Sequence, residues 1–387
     1  MIHSLIDNDL YKFTMQNAVI KIFQRSKVRY QFINRGATQF PDGFAEILRK
    51  EISKLGDLRL SKDEKEYLRE RCYYLDPTYL DFLMGYIFDP SEVGVIQKGG
   101  DLQILIEGYW YRTILWEVPL MAMISELYFK MTSQSIYSEN KIIDIAKEKA
   151  ARFNMLGVSV ADFGTRRRYS FDNHDRIVDA FKSYGKPSFI GTSNVYFAKK
   201  YDLIPVGTHA HEWFMFHAAK YGYKMANKLA LDNWVKVYRG DLGIALSDTF
   251  TSDVFFKAFD TKFTKLFDGV RQDSGDPILF AKKTIEHYKQ LRVDPTAKTI
   301  IFSDGLNPNT VEEIAKFCRG KIKISFGIGT NFTNDVGVEP LNIVVKIIEA
   351  KAEGQDWIPT IKLSDSPGKY TGDEDSIRLC KGILNID

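Results

Sequence analysis

The hydrophobic and polar positions of the chain change rhythm near residue 130, and the later part has the simpler pattern. After about residue 155, short apolar runs alternate with amphipathic stretches of helical period, which predicts right-handed βαβ units and a parallel sheet. The runs are Gly157–Ala161, Ser188–Ile190, Leu203–Val206, Gly243–Leu246, Phe267–Val270, Thr299–Phe302 and Ile322–Phe326, with an eighth at Leu341–Ile348. Eight runs favour a barrel over an open sheet. The sequence therefore predicts the α/β class, with an irregular, TIM-like parallel barrel packed against a smaller α+β domain.

The part before residue 130 has the mixed pattern of that smaller α+β domain. Helices are predicted over about 8–24, 42–55, 61–74 and 114–131, and strands over Val28–Ile33, 93–98 and 102–109. The turn residues at 98–101 predict a hairpin between the last two strands. We therefore expect an N-terminal α+β domain (1–130), a catalytic barrel domain (131–349) and a C-terminal segment (350–387) that returns to the N-terminal domain.

Composition and charge exclude several classes of protein. The chain has 387 residues, of which 44% are hydrophobic and 27% charged, a balance typical of globular proteins with a large core. The net charge of +3 argues against a nucleic-acid partner. The three cysteines are far apart and predict neither a metal site nor a disulfide framework, which favours a reducing compartment. No secretory signal is expected, because the N-terminus carries acids early and has no long apolar run. No membrane helix is expected, because Glu117 and Pro119 interrupt the longest apolar stretch. We expect a cytoplasmic protein.

Polar residues follow every predicted strand of the barrel, where the functional residues of such barrels lie. Gly327-Ile328-Gly329-Thr330 and Ser303-Asp304-Gly305 offer backbone amides and hydroxyls suited to phosphate. Taken singly, each of these glycines is more often only a turn residue. There is no P-loop and no dinucleotide-binding glycine fingerprint.

Arginines and histidines supply further candidate chemistry at the strand ends. Arg166, Arg167 and Arg168 are adjacent, so at least one is expected at the surface or in a structural ion pair, while one or two can clamp phosphate or carboxylate. His209 and His211 follow another strand. They fit a general base or a nucleophile that accepts a phosphoryl group.

A metal is the alternative for this pair of histidines, and it needs a third ligand such as Glu212, Asp241 or Asp248. A catalytic histidine needs a carboxylate on its other ring nitrogen to fix the tautomer. Asp248, at the next strand end, is the first candidate for that role.

Several motifs in this order carry a resemblance to a known family. They are Asp7-Asn8-Asp9-Leu10-Tyr11-Lys12, Glu117-Val118-Pro119-Leu120, Phe163-Gly164-Thr165-Arg166-Arg167-Arg168, Gly207-Thr208-His209-Ala210-His211-Glu212-Trp213, Gly269-Val270-Arg271-Gln272-Asp273-Ser274-Gly275-Asp276-Pro277, Phe326-Gly327-Ile328-Gly329-Thr330 and Lys362-Leu363-Ser364-Asp365-Ser366-Pro367-Gly368-Lys369. Each motif alone is modestly specific, but together they are highly specific. The chain resembles the bacterial-type nicotinate phosphoribosyltransferase family over essentially its whole length.

The resemblance implies a reaction and its partners. The family transfers ribose 5-phosphate from 5-phosphoribosyl 1-diphosphate to the ring nitrogen of nicotinate, in NAD biosynthesis and salvage. The products are nicotinate mononucleotide and diphosphate. ATP hydrolysis is coupled to the transfer through a phosphohistidine, and Mg²⁺ accompanies the phosphates. The resemblance also implies a homodimer whose active sites are completed across the interface, with Tyr11 reaching nicotinate from the partner subunit.

Roles for individual residues follow from the same resemblance. His211 matches the phosphohistidine, with Asp248 as its expected partner, whereas His209 is given no role. The nicotinate-binding residues match Tyr11, Phe163, Arg166, Thr208 and Arg271, with Phe163 stacking on the ring and Arg271 pairing with the carboxylate. The expected ribose and phosphate residues are Asp273, Ser303, Gly305, Gly327, Gly329 and Thr330. Asp273 has two alternatives, since it can hold Arg271 or bind ribose, and no residue is assigned as a direct metal ligand.

Substrate choice and the rival functions complete the sequence-based expectations. Ser193 stands where the related nicotinamide enzymes place an acid, and a neutral group there favours nicotinate. The alternatives are an ATP-independent phosphoribosyltransferase of the quinolinate type, a basic RNA-binding barrel that uses Arg166–Arg168, and a catalytically inactive scaffold. Near-neutral charge disfavours the RNA-binding alternative, and the intact polar strand ends disfavour the scaffold.

Overall fold

A computed structural model describes residues 1–366 and 369–386, so Pro367 and Gly368 of the last motif lie outside the described residues. Two sheets and the helices around them make up the fold. The strands are β1 (Lys27–Asn34), β2 (Val93–Lys98), β3 (Asp101–Tyr109), β4 (Ser159–Asp162), β5 (Phe189–Thr192), β6 (Ile204–Pro205), β7 (Ile244–Leu246), β8 (Gly269–Gln272), β9 (Thr299–Phe302), β10 (Lys323–Ile328), β11 (Ile343–Lys351) and β12 (Ile358–Pro359). The helices are α1 (Leu10–Ile22), α2 (Phe44–Leu55), α3 (Lys62–Arg71), α4 (Pro77–Met84), α5 (Trp110–Thr113), α6 (Glu117–Thr132), α7 (Glu139–Leu156), α8 (Phe171–Tyr184), α9 (Val195–Tyr201), α10 (His211–Tyr221), α11 (Tyr223–Tyr238), α12 (Ser252–Ala258), α13 (Thr261–Leu266), α14 (Pro277–Gln290), α15 (Pro308–Cys318), α16 (Thr330–Thr333) and α17 (Glu374–Leu384).

One sheet is parallel and has the order β6-β5-β4-β10-β9-β8-β7. Its strands coincide with the seven apolar runs from Gly157 to Phe326 that the alternation predicted, so the α/β class and the parallel sheet are confirmed. The order begins with β6 and ends with β7, and among the described residues no strand pairing joins these two. The sheet is thus a curled half-barrel, and closure into a TIM-like barrel stays a prediction.

The second sheet is antiparallel and has the order β12-β11-β1-β3-β2. The hairpin predicted at residues 98–101 is present, since Lys98 pairs with Asp101 across a two-glycine turn in which Gly99 has a φ of 56°. Glycine adopts this left-handed conformation without steric cost. The separate α+β part of the fold is therefore confirmed.

The expectation of an eighth barrel strand at Leu341–Ile348 is wrong. This segment forms β11, which pairs with β1 and β12 in the antiparallel sheet. Along β11, Ile343, Val345 and Ile347 are buried while the residues between them are only half-buried. That period of two suits a sheet with one covered face, whereas strands of a parallel barrel are buried on both faces. The chain thus returns after β10 to the sheet of its N-terminal part.

The ends of the chain bear directly on the site. Helix α1 is buried over its first ten residues, charged and polar side chains included. It packs against α5 and α11. After β12, the backbone amide of Leu363 donates to the carbonyl of Thr249, and α17 packs against α11. In the part of the chain that the structure describes, no helix is long and apolar enough to cross a membrane.

Candidate active site

The carboxyl ends of the parallel strands open into two adjoining cavities. The aromatic cavity has a lining that includes Phe163, Thr208, Ser193 and Asp9. The charged cavity has a lining that includes His211, Asp273, Glu117 and Lys346. Three residues line both cavities, namely Tyr11, Arg166 and Arg271. The fold therefore gathers the expected base-binding residues on one side of a shared wall and the histidine on the other.

Phe163 is held against the sheet by a glycine. Its backbone amide donates to the carbonyl of Ile328 at 2.8 Å, so the residue lies beside β10. A Cβ added at Gly327 would come within 2.9 Å of Phe163 Cγ and closer still to two other ring carbons. Position 327 must therefore be glycine for the ring to take this place. The Arg271 guanidinium lies 5.7 Å from the ring centroid, within the range of a cation–π contact.

Tyr11 lines the cavities of its own chain, so the expectation that a partner subunit supplies it is wrong. The start of α1 is fixed there because the amide of Leu10 donates to the carbonyl of Ser193 at 2.8 Å. The hydroxyl of Thr14, one turn later, donates to the carbonyl of Thr208. The Tyr11 hydroxyl is buried with no hydrogen-bond partner among the described residues. It is available to a ligand in either cavity.

Arg271 and Asp273 form one unit at the end of β8. Arg271 Nη2 donates to Asp273 Oδ1 at 2.8 Å, and Arg271 Nε donates to Ser303 Oγ at 2.8 Å. Of the two alternatives for Asp273, the structure supports holding Arg271. Burial alone would raise the pKa of Asp273, but Arg271 and His211 outweigh it and hold that pKa well below its usual value. Asp273 is therefore ionised.

His211 is the first residue of α10 and contacts the same carboxylate. Its Nε2 lies 3.1 Å from Asp273 Oδ2, and its Nδ1 lies 3.0 Å from Thr249 Oγ1. Burial, together with the cation of Lys362, lowers the pKa of His211 to about 4. The imidazole is thus neutral at physiological pH. Since Asp273 is an anion that only accepts, the single proton of the ring belongs on Nε2 and the lone pair on Nδ1.

Asp248 does not have the contact that the sequence suggested. Its Oδ1 lies 3.8 Å from His211 Nε2, too far for a hydrogen bond, and on the same side of the ring as Asp273. Its Oδ2 accepts from the hydroxyl of Ser274, while Oδ1 is buried without a partner among the described residues. Asp273, rather than Asp248, orients the ring. The sequence analysis gave Asp273 to Arg271 or ribose and did not consider it for His211, although it too follows a strand end.

A buried ion network under both cavities was missed by the sequence analysis. Lys12 Nζ lies 2.6 Å from Glu117 Oε2 and also pairs with Glu212, and all three side chains are almost completely buried. Arg166 extends the network by donating to Glu117 at 3.3 Å. Burial alone would raise the pKa of Glu117, but Lys12 and Arg166 lower it to about 2. The sequence did contain a sign of this network, because charged and polar residues are spaced along the otherwise apolar α1 segment.

The remaining arginine and histidine candidates have structural contacts. Arg168 is fully buried and makes a bidentate pair with Asp7 at 2.8 and 2.9 Å, which is the structural ion pair expected within the arginine triplet. His209 Nε2 accepts from the amide of Leu246 at 3.1 Å, and its ring packs edge-on against Trp234. Burial lowers the pKa of His209 to about 3. Among the described residues no cluster of three His, Cys, Asp or Glu could hold a metal, so the metal alternative for His209 and His211 has no support.

The predicted phosphate residues are only partly brought to the cavities. Ser303 contacts both Arg271 and Asp273 and lies at the site. Gly305, Gly327, Gly329 and Thr330 are not among the described residues that line the two cavities, and Gly327 packs against the Phe163 ring, so the phosphate roles of all four stay predictions. Lys346, on β11, was not a candidate in the sequence, yet it lines the charged cavity. Burial, with repulsion from Lys362, lowers the pKa of Lys346 to about 7.

Ser193 has a neighbour that the sequence did not suggest. Its hydroxyl donates to Asp9 Oδ1 at 2.8 Å, and both residues line the aromatic cavity. Burial raises the pKa of Asp9. An acid thus lies beside the neutral position that favoured nicotinate, contributed by the segment before α1 rather than by the strand end.

Comparisons with known proteins agree over the whole chain. The Nicotinate phosphoribosyltransferase (NAPRTase) family model matches residues 158–387, and the model of the family's N-terminal domain matches residues 6–125. A nicotinate phosphoribosyltransferase of Chromohalobacter salexigens is 58% identical and one of Desulforapulum autotrophicum is 50% identical, each covering at least 99% of both chains. The crystal structure of the enzyme from Porphyromonas gingivalis superposes with a TM-score of 0.97 at 46% identity, with both chains covered completely. The chain belongs to the nicotinate phosphoribosyltransferase family.

Proposed function

We propose that this member of the family forms nicotinate mononucleotide in the two cavities and couples the transfer to ATP hydrolysis through phosphorylation of His211. Membership of the family supports nicotinate and 5-phosphoribosyl 1-diphosphate as substrates. The observation that carries the coupling is a neutral, buried histidine linked by a single carboxylate to the arginine at the shared wall. ATP, Mg²⁺ and the residue roles below belong to the proposal.

The aromatic cavity suits the pyridine ring. Phe163 offers a flat face, and Arg271 and Arg166 offer guanidinium groups to a carboxylate. A bidentate, charge-assisted pair with Arg271 gives both affinity and orientation. Thr208 and the unpartnered hydroxyl of Tyr11 complete the polar contacts available to the ring and its substituent. Nicotinate held here directs its ring nitrogen toward the charged cavity, where phosphoribosyl transfer takes place.

The charged cavity suits a phosphoryl acceptor. His211 carries its proton on Nε2, where Asp273 accepts it, so Nδ1 is the nucleophile. The hydroxyl of Thr249, which donates to Nδ1 in the resting state, turns away when Nδ1 attacks. The positive charge that develops on the ring is stabilised by the anion of Asp273. Arg166 supplies a cation for phosphate groups in this cavity, and Lys346, whose pKa burial lowers to about 7, takes up a proton when a phosphate group binds beside it.

Mg²⁺ fits this site through substrate phosphates and one carboxylate. The ion commonly binds to one or two carboxylates together with phosphate oxygens. Asp248 Oδ1, buried and without a partner among the described residues, is the acceptor available to it. When bound, the ion supplies neutralisation of phosphate charge. The homodimer and the cytoplasmic location stay predictions, to be tested by light scattering and by fractionation.

A labelling experiment tests the proposal. The protein is incubated with [γ-³²P]ATP, digested, and the acid-labile phosphate is mapped to a peptide. We expect the label on His211 and its loss in His211→Asn, while some ATP-independent formation of nicotinate mononucleotide persists. Label that persists in His211→Asn would exclude this residue. Product formation with no phosphoenzyme and no ATP effect would favour the ATP-independent alternative.

A further inference from the structure

Asp273 connects two groups with different tasks, and each of its oxygens serves one of them. Oδ1 accepts from Arg271 Nη2 at 2.8 Å and lies 2.6 Å from Ser303 Oγ. Oδ2 lies 3.1 Å from His211 Nε2. The carboxylate is therefore the direct physical link between the phosphoryl acceptor in the charged cavity and the guanidinium that faces the aromatic cavity.

We infer that Asp273 is a positioning residue that couples the phosphorylation state of His211 to the ability of Arg271 to bind a ligand carboxylate. The inference rests on the proposed function, because it requires phosphorylation of His211. It goes beyond that function because it names the residue through which phosphorylation in the charged cavity changes ligand binding in the aromatic cavity. Neither the arginine nor the histidine could do this alone, since among the described residues no hydrogen bond joins the two side chains directly and both contact the same carboxylate.

The coupling arises from the positive charge that the phosphoryl transfer places on the His211 ring. The bond from Nδ1 to the γ-phosphorus forms, the bond from that phosphorus to the bridging oxygen breaks, and its electron pair leaves on ADP. The proton on Nε2 stays, so the neutral imidazole becomes a cation with its N–H aimed at Asp273. Coulomb attraction between the cationic ring and the Asp273 anion then adds to the hydrogen bond that the neutral ring already donates. Asp273 is drawn toward His211, and Arg271 Nη2 is released for a ligand carboxylate.

Thermodynamic linkage makes this effect reciprocal. A carboxylate ligand that takes over Arg271 frees Asp273 to stabilise the phosphorylated ring, so the ligand must favour the phosphoenzyme by the same factor. Coupling between sites in proteins is typically about 5- to 150-fold. A ligand of the same shape without the carboxylate engages the ring pocket but leaves the Arg271–Asp273 pair intact.

Benzoate and benzamide provide this comparison without turnover. Both present a six-membered ring to Phe163, but neither has a ring nitrogen that can be ribosylated, and only benzoate carries a charge. Phosphoenzyme is measured at equilibrium from [γ-³²P]ATP in a buffered ATP/ADP mixture, as acid-labile, base-stable phosphate. We expect benzoate to raise the phosphorylation equilibrium constant of the wild-type protein at least about fivefold. Benzamide should leave it within about twofold.

Two variants locate the effect. In Asp273→Asn, the amide can keep a neutral contact to Arg271 but cannot favour a cationic ring, so the benzoate effect should fall to about one, whatever the remaining level of phosphorylation. Asp253→Asn is the matched control. Asp253 is an exposed carboxylate that pairs with Lys283 at 2.8 Å, and it is not among the described residues that line the two cavities. The benzoate effect should persist in this control.

The outcomes separate the inference from the function on which it rests. A wild-type protein that forms no phosphohistidine overturns the proposed ATP coupling, and the inference with it. A phosphohistidine that forms equally with and without benzoate leaves the function standing and overturns the inference, as does an equal benzoate effect in wild type and Asp273→Asn. If Asp273→Asn fails to fold, the inference is tested by the wild-type protein alone. It is then overturned if benzoate and benzamide change the phosphorylation equilibrium constant equally.

Discussion

Replacing Gly327 with alanine tests whether Phe163 holds the base, because the substitution acts on the ring alone. The new Cβ would lie within 2.9 Å of Phe163 Cγ and nearer to two other ring carbons, whereas carbon atoms in contact prefer about 3.5–4.0 Å. The ring must therefore move by roughly 1 Å. It cannot move toward the sheet, because the added methyl group at position 327 of β10 lies on that side of the ring. It moves into the aromatic cavity instead.

The expected magnitude follows from the size of this shift. Overpacking of this kind costs about 1–3 kcal/mol of unfolding free energy. A misplacement of about 1 Å at a substrate-positioning residue costs on the order of 100-fold in rate. We expect kcat/KM for nicotinate to fall about 100-fold in Gly327→Ala, while the KM for 5-phosphoribosyl 1-diphosphate changes by less than about threefold. Initial rates of nicotinate mononucleotide formation, with each substrate varied in turn, give both values.

A control and a double variant make the result decisive. Gly382→Ala, in α17, introduces a methyl group that meets nothing within 4 Å, and it should change neither kinetic constant. In Phe163→Ala/Gly327→Ala the added methyl no longer meets a ring, so the alanine at 327 should cost little further stability. Unchanged nicotinate kinetics in Gly327→Ala would refute the reasoning. So would an equal stability loss from the alanine with and without the Phe163 ring.

Four further predictions concern charge, stability and assembly. Arg271→Ala should raise the nicotinate KM by about two orders of magnitude, because a desolvated ligand carboxylate loses its partner, and an unchanged KM would place that carboxylate elsewhere. Lys12→Met should lower the free energy of unfolding in denaturant by about 3–5 kcal/mol, since it removes the buried cation that Glu117 and Glu212 share, whereas Lys50→Met at an exposed pair should cost less than about 1 kcal/mol. Burial lowers the pKa of His209 and of His217 to about 3, below the value in the unfolded chain, so the unfolded chain binds more protons in acid and the free energy of unfolding falls as the pH drops below about 6.5. Denaturation at pH 7 and at pH 4.5 should show a loss of roughly 2.5 kcal/mol of unfolding free energy for each histidine, and this loss should be smaller in His209→Gln. Mixing Tyr11→Ala with Arg271→Ala protein under demonstrated subunit exchange should restore no activity, because both residues act within one chain, and recovery would show that sites are shared.

The alternation of strands and helices was readable because it reflects local chemistry. Short apolar runs between amphipathic helices have one stable arrangement, the parallel sheet, and all seven runs through Phe326 took it. The prediction of an eighth barrel strand at Leu341–Ile348 was wrong, and local chemistry again explains why. Its residues alternate between buried and half-buried, which indicates a strand with one exposed face, and the edge of β1 was the partner that a scan along the chain could not identify.

Positions in the site were predictable where a strand end determined them. His211 lines the charged cavity, Phe163 and Thr208 line the aromatic cavity, and Arg271 lines both, as expected from their places after apolar runs. Contacts between strand ends were not predictable, because they depend on side-chain rotamers across neighbouring strands. The sequence analysis assigned the His211 contact to Asp248, yet of the two carboxylates only Asp273 lies within hydrogen-bond distance of His211.

Residues that act from outside the parallel sheet were the hardest to anticipate. Lys12 pairs with acids more than a hundred positions away, and nothing in local pattern indicates which buried charges will meet. Lys346 reaches the charged cavity from a strand assigned to the wrong sheet. Tyr11 was expected from a partner subunit by resemblance, but the start of α1 is bonded to Ser193 of its own chain.

The final ratio of products to substrates tests the central claim most directly. Nicotinate and 5-phosphoribosyl 1-diphosphate are allowed to reach a constant level of nicotinate mononucleotide and diphosphate, approached from both directions, with and without ATP. If phosphorylation of His211 drives the transfer, ATP should raise this ratio above its ATP-free value in the wild-type protein and leave it unchanged in His211→Asn. A ratio that ATP does not alter in the wild-type protein, or alters equally in His211→Asn, would contradict the account.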